Sequence, residues 1–404
     1  MKYKKGKFFI ENIRVDRLAK LFSTPLYVYS KKKIEENIDR FKKQFISVDP
    51  LICFSVKSNS NTEILKIIKK KGLGADVVSY GELLKALKAG IKPKKIVFSG
   101  VGKTKKELEF AIEKNILLIN AESINEIVEI EKIAKAKNKT IKIGIRLNPD
   151  TDAKTLNKIS TGRKENKFGV NTNQFLKILR DYKDSKYLKI SCLSVHIGSQ
   201  ITSHKPYEKM LNVLDKNIYK SKHSFEFMDL GGGMGIRYNN NDKVLSYPKY
   251  KNLILKFLKK NKSKIIFEPG RSIIGSAGIM LSKVTYLKKM SKQNFVILDA
   301  AMNDLMRPAL YGAKHDIIPS KKNSTKLEKK HEFVGPICET TDKFLTKPNF
   351  QRLSQNDILI IRDVGAYGIV LSSNYNLRPI PAEILVNGNK IKVIKKRQKF
   401  KDFI

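Results

Sequence analysis

From about residue 30 to residue 270 the chain alternates between two textures. Short β-branched or aromatic runs stand at Leu51–Val56, Ile96–Phe98, Ile116–Asn120, Ile141–Leu147, Ile190–His196, Phe227–Leu230 and Ile265–Glu268. Between them lie charged stretches with apolar residues three and four positions apart: Thr62–Lys70, Gly81–Ala89, Lys105–Lys114, Ser123–Lys137, Thr172–Asp181, Tyr207–Tyr219 and Tyr250–Lys260. The first texture predicts strands and the second amphipathic helices. Strand and helix in alternation predict a parallel sheet covered by helices. Seven or eight such units fit a (β/α)8, TIM-like barrel, which takes roughly 250 residues.

After residue 273 the pattern changes. Lys283–Leu287, Phe295–Leu298, Ile358–Ile361 and Glu383–Val386 read as strands with few long helical stretches between them. A second, mainly β domain, sandwich- or barrel-like, is expected there. Leu26–Tyr29 and the residues before it have no barrel-like helix ahead of them and are assigned to the same domain. The expected division is therefore 30–272 for the α/β barrel and 1–29 with 273–404 for the β domain. Ser320–Lys330, with five Lys in eleven residues, reads as an exposed loop.

Composition narrows the function classes. The chain has 404 residues, 41% hydrophobic and 29% charged, which is a globular balance. It carries 81 Lys+Arg against 38 Asp+Glu, a net charge of +43. Such a charge suggests nucleic acid or an anionic membrane surface. Two features oppose that. Lys outnumbers Arg by 68 to 13, and the Lys residues run from Lys2 to Lys401 without forming one arm. The charge is read as background on solvated surfaces, with no specific nucleic-acid partner. The N-terminal apolar run Phe8–Ile10 stops at Glu11, too short for a signal peptide, and no run approaches a membrane span of about 20 residues. Cys53, Cys192 and Cys338 are far apart and lack metal-type spacing, so a cytoplasmic protein without a metal is expected.

In a barrel, chemistry sits at the C-terminal ends of strands. Lys57 follows one strand at once; it is either one more solvated lysine or an amine poised to bond a carbonyl. Gly231-Gly232-Gly233-Met234-Gly235 follows another, as a tight turn or as an anion cradle. Glu268-Pro269-Gly270-Arg271 ends a third, as a local ion pair or as a contact to a charged ligand. His196 ends a fourth, as a satisfied core imidazole or as a ring-stacking partner. Their shared position makes one hypothesis: a phosphate-bearing ring held in a barrel mouth, with a lysine to bond it.

These residues lie in motifs spread over most of the chain: FSVKSNSN (54–61), GADVVSYGEL (74–83), FSGVGKT (98–104), RLNPDTDAKTLNKISTGRKENKFG (146–169), HIGSQI (196–201), DLGGGMGI (229–236), EPGRS (268–272), DAAMNDLMRPALYGAKH (299–315), GPICET (335–340) and GAYG (365–368). From about residue 25 to 390 the sequence resembles the barrel-type (fold type III) pyridoxal-phosphate decarboxylases. The RPALY and GPICE segments resemble the branch acting on meso-2,6-diaminopimelate. The resemblance implies pyridoxal 5'-phosphate as cofactor and decarboxylation to L-lysine as activity. A relative acting on carboxynorspermidine or a basic amino acid is the alternative.

The resemblance also implies roles. Lys57 is the lysine that joins the cofactor, and His196 the imidazole on its ring face. Ser199, Gly232, Gly233, Gly270 and Arg271 contact its phosphate, and Glu268 partners the ring nitrogen. Arg271, Arg307 and Tyr311 contact substrate carboxylates. Cys338 is the proton donor, Glu339 reads the distal ammonium, and Tyr367 touches both cofactor and substrate. Cys338 and Glu339 would come from a neighbouring subunit, which implies a homodimer with shared sites. A cysteine thiol holds its proton at neutral pH, as a donor must. Cys53 and Cys192, inside strand runs, read as small buried hydrophobes. Against the family pattern, Ser55 and Ser58 stand where alanines are usual, Thr340-Thr341 where Ser-Gly is common, and Tyr80 where a small residue is frequent.

Overall fold

A computed structural model describes the chain except residues 240, 292 and 324–326. It resolves into two compact units: Ile38–Ile236 with Lys243–Ser272, and Met1–Asn37 with Arg237–Asp242 and Ile273–Ile404.

The first unit is a closed barrel of eight parallel strands. In order around the barrel they are Leu51–Ser55, Gly74–Val77, Ile96–Phe98, Leu118–Ala121, Ile141–Arg146, Leu188–Ser194, Phe227–Asp229 and Lys264–Phe267. The ring closes where Ile266 pairs with Leu51. Gly74–Val77 is the strand that hydrophobic patterning misses. It is four residues of Gly-Ala-Asp-Val, with a poor strand former at two of its positions. Gly74 is required there, since a Cβ would sit 2.0 Å from the Lys95 carbonyl oxygen.

Side chains two apart on a strand share a face, and the lumen is layered on that rule. Cys53, Val97, Leu118, Cys192, Phe227 and Ile266 pack as one buried apolar cluster. Two residues further along the same strands come Ser55, Ser99, Asn120, Ser194, Asp229 and Glu268, all buried and polar. Each of these six strands thus steps from an apolar layer to a polar one at its C-terminal end.

Five of the covering helices begin at side-chain caps. Asn61, Ser79, Thr104, Ser123 and Asn171 each accept a backbone N–H from the first turn that follows. In Thr62–Lys70, Ile64, Leu65, Ile67 and Ile68 face inward while Lys66 and Lys69 lie outside. Lysines recur on such faces, as at Lys66, Lys69 and Lys70. Lys103 is the exception: its side chain is buried, paired with Glu126 at 2.7 Å, and donates to the carbonyls of Gly100 and Asn120.

The second unit is built on a nine-stranded sheet that includes Leu26–Ser30, Gly278–Lys289, Asn294–Leu298, Ile358–Ile361 and Ala382–Asn387. Leu26–Ser30 lies between Gly278–Lys289 and Ala382–Asn387, antiparallel to the first and parallel to the second. Its alternate residues Leu26 and Val28 pack with Ile279, Leu281, Ile360, Ile384 and Val386. The exposed loop expected over Ser320–Lys330 is corrected over its last four residues. Leu327–Val334 is a strand that pairs with Lys343–Gln351 and with Asn294–Leu298, and 324–326 lie outside the described residues. Hydrogen bonding to two neighbours holds that polar segment extended, although its charge alone suggested a loop.

Candidate active site

Within the barrel, the sequence-predicted residues gather at the polar ends of the strands. Lys57, in the turn just after Leu51–Ser55, is half-buried, and its Nζ lies 3.0 Å from Asp76 Oδ2. The same oxygen accepts from Ser55 Oγ at 2.8 Å, and Ser58 Oγ donates to the Ser55 carbonyl at 2.7 Å. The two serines that depart from the family pattern therefore brace the lysine turn.

Glu268 accepts from Ser99 Oγ at 3.2 Å. Asp229 accepts from Asn120 Nδ2 at 2.8 Å and from the Gly231 N–H at 3.0 Å. Burial pushes the Glu268 carboxyl well above the usual carboxylate range, and the nearby Asp229 and Asp76 charges add to this. Burial raises Asp229 to about 6, against the hydrogen bonds it receives. Asp76, Asp229 and Glu268 are three buried carboxyl groups with Lys57 as the neighbouring cation. Asp76 Oδ1 has no hydrogen-bond partner among the described residues. Such a group of acids favours a further positive charge beside it. Asp76 and Asp229 lie inside motifs of the resemblance, but nothing about their spacing marked them as partners of Lys57 and Glu268.

His196 Nδ1 accepts the Gly232 N–H at 3.1 Å. That leaves the proton on Nε2 and the ring neutral. Burial and the nearby cations Lys57 and Arg146 push it the same way, well below the ordinary histidine range. The glycine turn is packed too tightly for side chains. A Cβ on Gly232 would stand 2.1 Å from the Glu268 carbonyl oxygen, and one on Gly233, at φ +84°, 2.3 Å from that of Gly198. Arg271 Nη2 donates to Ser199 Oγ at 3.0 Å, and a Cβ on Gly270 would meet Ser58. Ser199, Gly232, Gly233, Gly270 and Arg271 thus form a small-residue cradle with one guanidinium. A phosphate group and a protonated ring nitrogen match its two chemistries: glycine backbone with a cation, and a buried set of acids.

The other predicted residues lie in the second unit. Arg307 opens the short helix Arg307–Tyr311 and is buried; Tyr311 ends it and is half-buried. The Arg307 guanidinium lies over the Tyr238 ring, 5.0 Å from its centroid, and Nη1 donates to His315 Nε2 at 2.7 Å. Neither Tyr238 nor His315 was singled out from sequence, although His315 closes a motif of the resemblance.

Cys338 and Glu339 lie on an exposed turn. The Cys338 N–H reaches Asn376 Oδ1 at 3.5 Å. Glu339 accepts from the Tyr375 hydroxyl, and from Thr341 Oγ1 at 2.9 Å. These two bonds hold its carboxyl below the usual range. Tyr367 sits at φ +56° in the GAYG turn, in the left-handed region that disfavours a bulky residue. Its neighbour Gly365 has no room for a side chain, since a Cβ would stand 2.1 Å from the Ile274 carbonyl oxygen.

Known proteins resemble this chain over nearly its whole length. Residues 31–275 match the family model "Pyridoxal-dependent decarboxylase, pyridoxal binding domain". Diaminopimelate decarboxylase of Aquifex aeolicus is 42% identical, the alignment covering 100% of this chain and 96% of that protein. The crystal structure of diaminopimelate decarboxylase from Helicobacter pylori complexed with L-lysine superposes with a TM-score of 0.91 at 40% identity, over 96% of this chain and 98% of that one. A lysine decarboxylase from Selenomonas ruminantium has a TM-score of 0.82 at 21% identity over 94% and 97%, a likeness of fold alone.

Proposed function

The chain belongs to the pyridoxal-dependent decarboxylases, and on that premise we propose that it converts meso-2,6-diaminopimelate to L-lysine and CO2, the last step of lysine biosynthesis. The observation that carries the reading is the buried set of Asp76, Asp229 and Glu268 beside Lys57, at the same strand ends as the glycine cradle. Pyridoxal 5'-phosphate, when bound, supplies the electron sink for the bond to the departing carboxylate. Lys57, His196, Ser199, Gly232, Gly233, Glu268, Gly270, Arg271 and Tyr367 are the residues that would hold it.

Their own chemistry fits that task. Lys57 keeps its amine at the barrel rim through Asp76. His196 offers a neutral ring whose edge is tied to Gly232, so a face is left for stacking. Beside a protonated ring nitrogen, Glu268 and Asp229 would give up the proton that burial favours and balance its charge. Substrate recognition falls to Arg271, Arg307, Tyr311, Glu339 and Tyr367. A guanidinium suits a carboxylate and a carboxylate suits an ammonium, which are the groups diaminopimelate bears at its far end. A diamine-type substrate lacks the distal carboxylate and would leave the buried Arg307 without its ligand, which costs binding.

Cys338 holds a proton at Sγ for delivery to the substrate carbon. The turn that carries Cys338 and Glu339 is exposed in the single chain. A homodimer in which this turn completes the neighbouring subunit's site gives it a reason to be so. Among the described residues no helix is long and apolar enough to cross a membrane, in keeping with a cytoplasmic enzyme. The test is CO2 release from stereochemically pure diaminopimelates, L-lysine, L-ornithine and carboxynorspermidine, with borohydride labelling of the holoenzyme. Turnover of the meso isomer and a label on Lys57 are expected. Turnover of carboxynorspermidine or a basic amino acid in its place overturns the substrate assignment, and a label elsewhere overturns Lys57.

A further inference from the structure

We propose that His315 is a positioning residue that fixes the plane of the Arg307 guanidinium for carboxylate recognition. The inference rests on the reading of Arg307 as a substrate-carboxylate contact. An arginine side chain turns about several bonds, and two-pronged recognition of a carboxylate requires its plane to be set. Around Arg307 the structure sets it. The guanidinium face lies on the Tyr238 ring, and Nη1 donates both to Tyr238 Oη at 3.0 Å and to His315 Nε2 at 2.7 Å. The His315 ring is fully buried and meets Tyr238 edge-on, with centroids 5.1 Å apart.

The protonation state of His315 follows from its two partners. A guanidinium nitrogen can only donate, so Nε2 presents its lone pair. Nδ1 lies 2.9 Å from the Arg362 carbonyl oxygen, which can only accept, so Nδ1 carries the hydrogen. The ring is the neutral Nδ1–H tautomer, specified at both ends.

That carbonyl is itself anchored. The Arg362 N–H donates to the Asp316 carbonyl at 2.9 Å, and just beyond it Ile317–Pro319 pairs antiparallel with Ile358–Ile361. A sheet ladder therefore fixes a carbonyl, the carbonyl fixes an imidazole, and the imidazole fixes the arginine. A group held on a ladder is placed more narrowly than one on a loop. A packing role alone would call for bulk at position 315; it would not call for a lone pair aimed at Nη1.

The experiment uses holoenzyme and two inhibitors that differ by the carboxylate in question, L-lysine and cadaverine. His315→Phe keeps the ring and loses the acceptor; His315→Gln restores an acceptor; Arg307→Met is the control. His315→Phe is expected to raise KM for meso-diaminopimelate and to weaken L-lysine inhibition by about 10- to 100-fold. Cadaverine inhibition and kcat should change only a few-fold, and His315→Gln should recover most of the loss. Equal weakening of both inhibitors, or no weakening, overturns the positioning role. If Arg307→Met leaves the L-lysine preference intact, the reading of Arg307 itself fails. If Arg307→Met abolishes the preference while His315→Phe retains it, only the role of His315 fails. Should His315→Phe not fold, His315→Leu, which also deletes the acceptor, must lower the same preference; an unchanged preference again overturns the proposal.

Discussion

The residues supplied by the barrel and those on the Cys338–Glu339 turn are held in opposite ways. Lys57, Asp76, Asp229 and Glu268 stand on or beside strand ends, in a lumen where the three acids are buried and each carboxyl is tied to neighbours of the same unit. Cys338 and Glu339 stand in solvent, tethered by Asn376, Tyr375 and Thr341. The difference matches the work each set would do. Groups that compensate a fixed charge gain from a low-dielectric setting, where their interactions are strongest. A group that hands over a proton and then releases product must be approachable, and this turn lies open to solvent. The barrel set is buried among neighbours of its own unit, whereas the turn is open to solvent.

Three experiments press on that contrast, in descending order of effect. Cys338→Ala should lower kcat by about 10²- to 10⁴-fold while leaving cofactor affinity unchanged, as measured by absorbance titration. A parallel loss of affinity would mean that the two sets are not separable.

The acids should make the cofactor-free barrel sensitive to pH. A carboxyl whose folded-state pKa is raised binds its proton more tightly when folded, so its cost is absent below the unfolded value and complete above the folded one. For Asp229 that window runs from 3.8 to about 6. The melting temperature of cofactor-free protein should therefore fall across it, by on the order of 5 °C more than that of Asp229→Asn. Identical slopes for the two proteins would remove the charge-compensation argument.

His196→Phe preserves a flat ring but removes the acceptor for the Gly232 N–H. Cofactor affinity should drop roughly 10-fold, the cost of one buried donor left unmet. A change below twofold would show that the glycine cradle does not need the imidazole.

How much of this was legible along the chain depends on the range of the signal. Seven of the eight barrel strands were visible because side-chain alternation and helical spacing are local properties of ten or so residues. Gly74–Val77 was invisible because its strand character comes from its neighbours Cys53–Ser55 and Ile96–Phe98 and from a glycine that only close packing requires. Residues 327–330 were read as loop for the same reason: their pairing with Lys343–Gln351 is a long-range property that composition does not record. Lys57, His196, Glu268 and the glycines announced themselves by falling at strand ends, and the resemblance then attached roles to them.

The linear sequence by itself determined most of the succession of barrel strands and helices, the places where chemistry could sit, and the family motifs that point to a cofactor and a substrate. Only the tertiary structure decided which polar groups face one another. Asp76 meets Lys57, Asp229 joins Glu268, Glu126 buries Lys103, and His315 aims at Arg307. The physical reason is that hydrophobic periodicity acts over a turn or a strand, while a buried charge is satisfied only by a partner that folding brings close. Asp229 and Glu268 come from adjacent strands of a closed barrel, and that adjacency exists only once the barrel has formed.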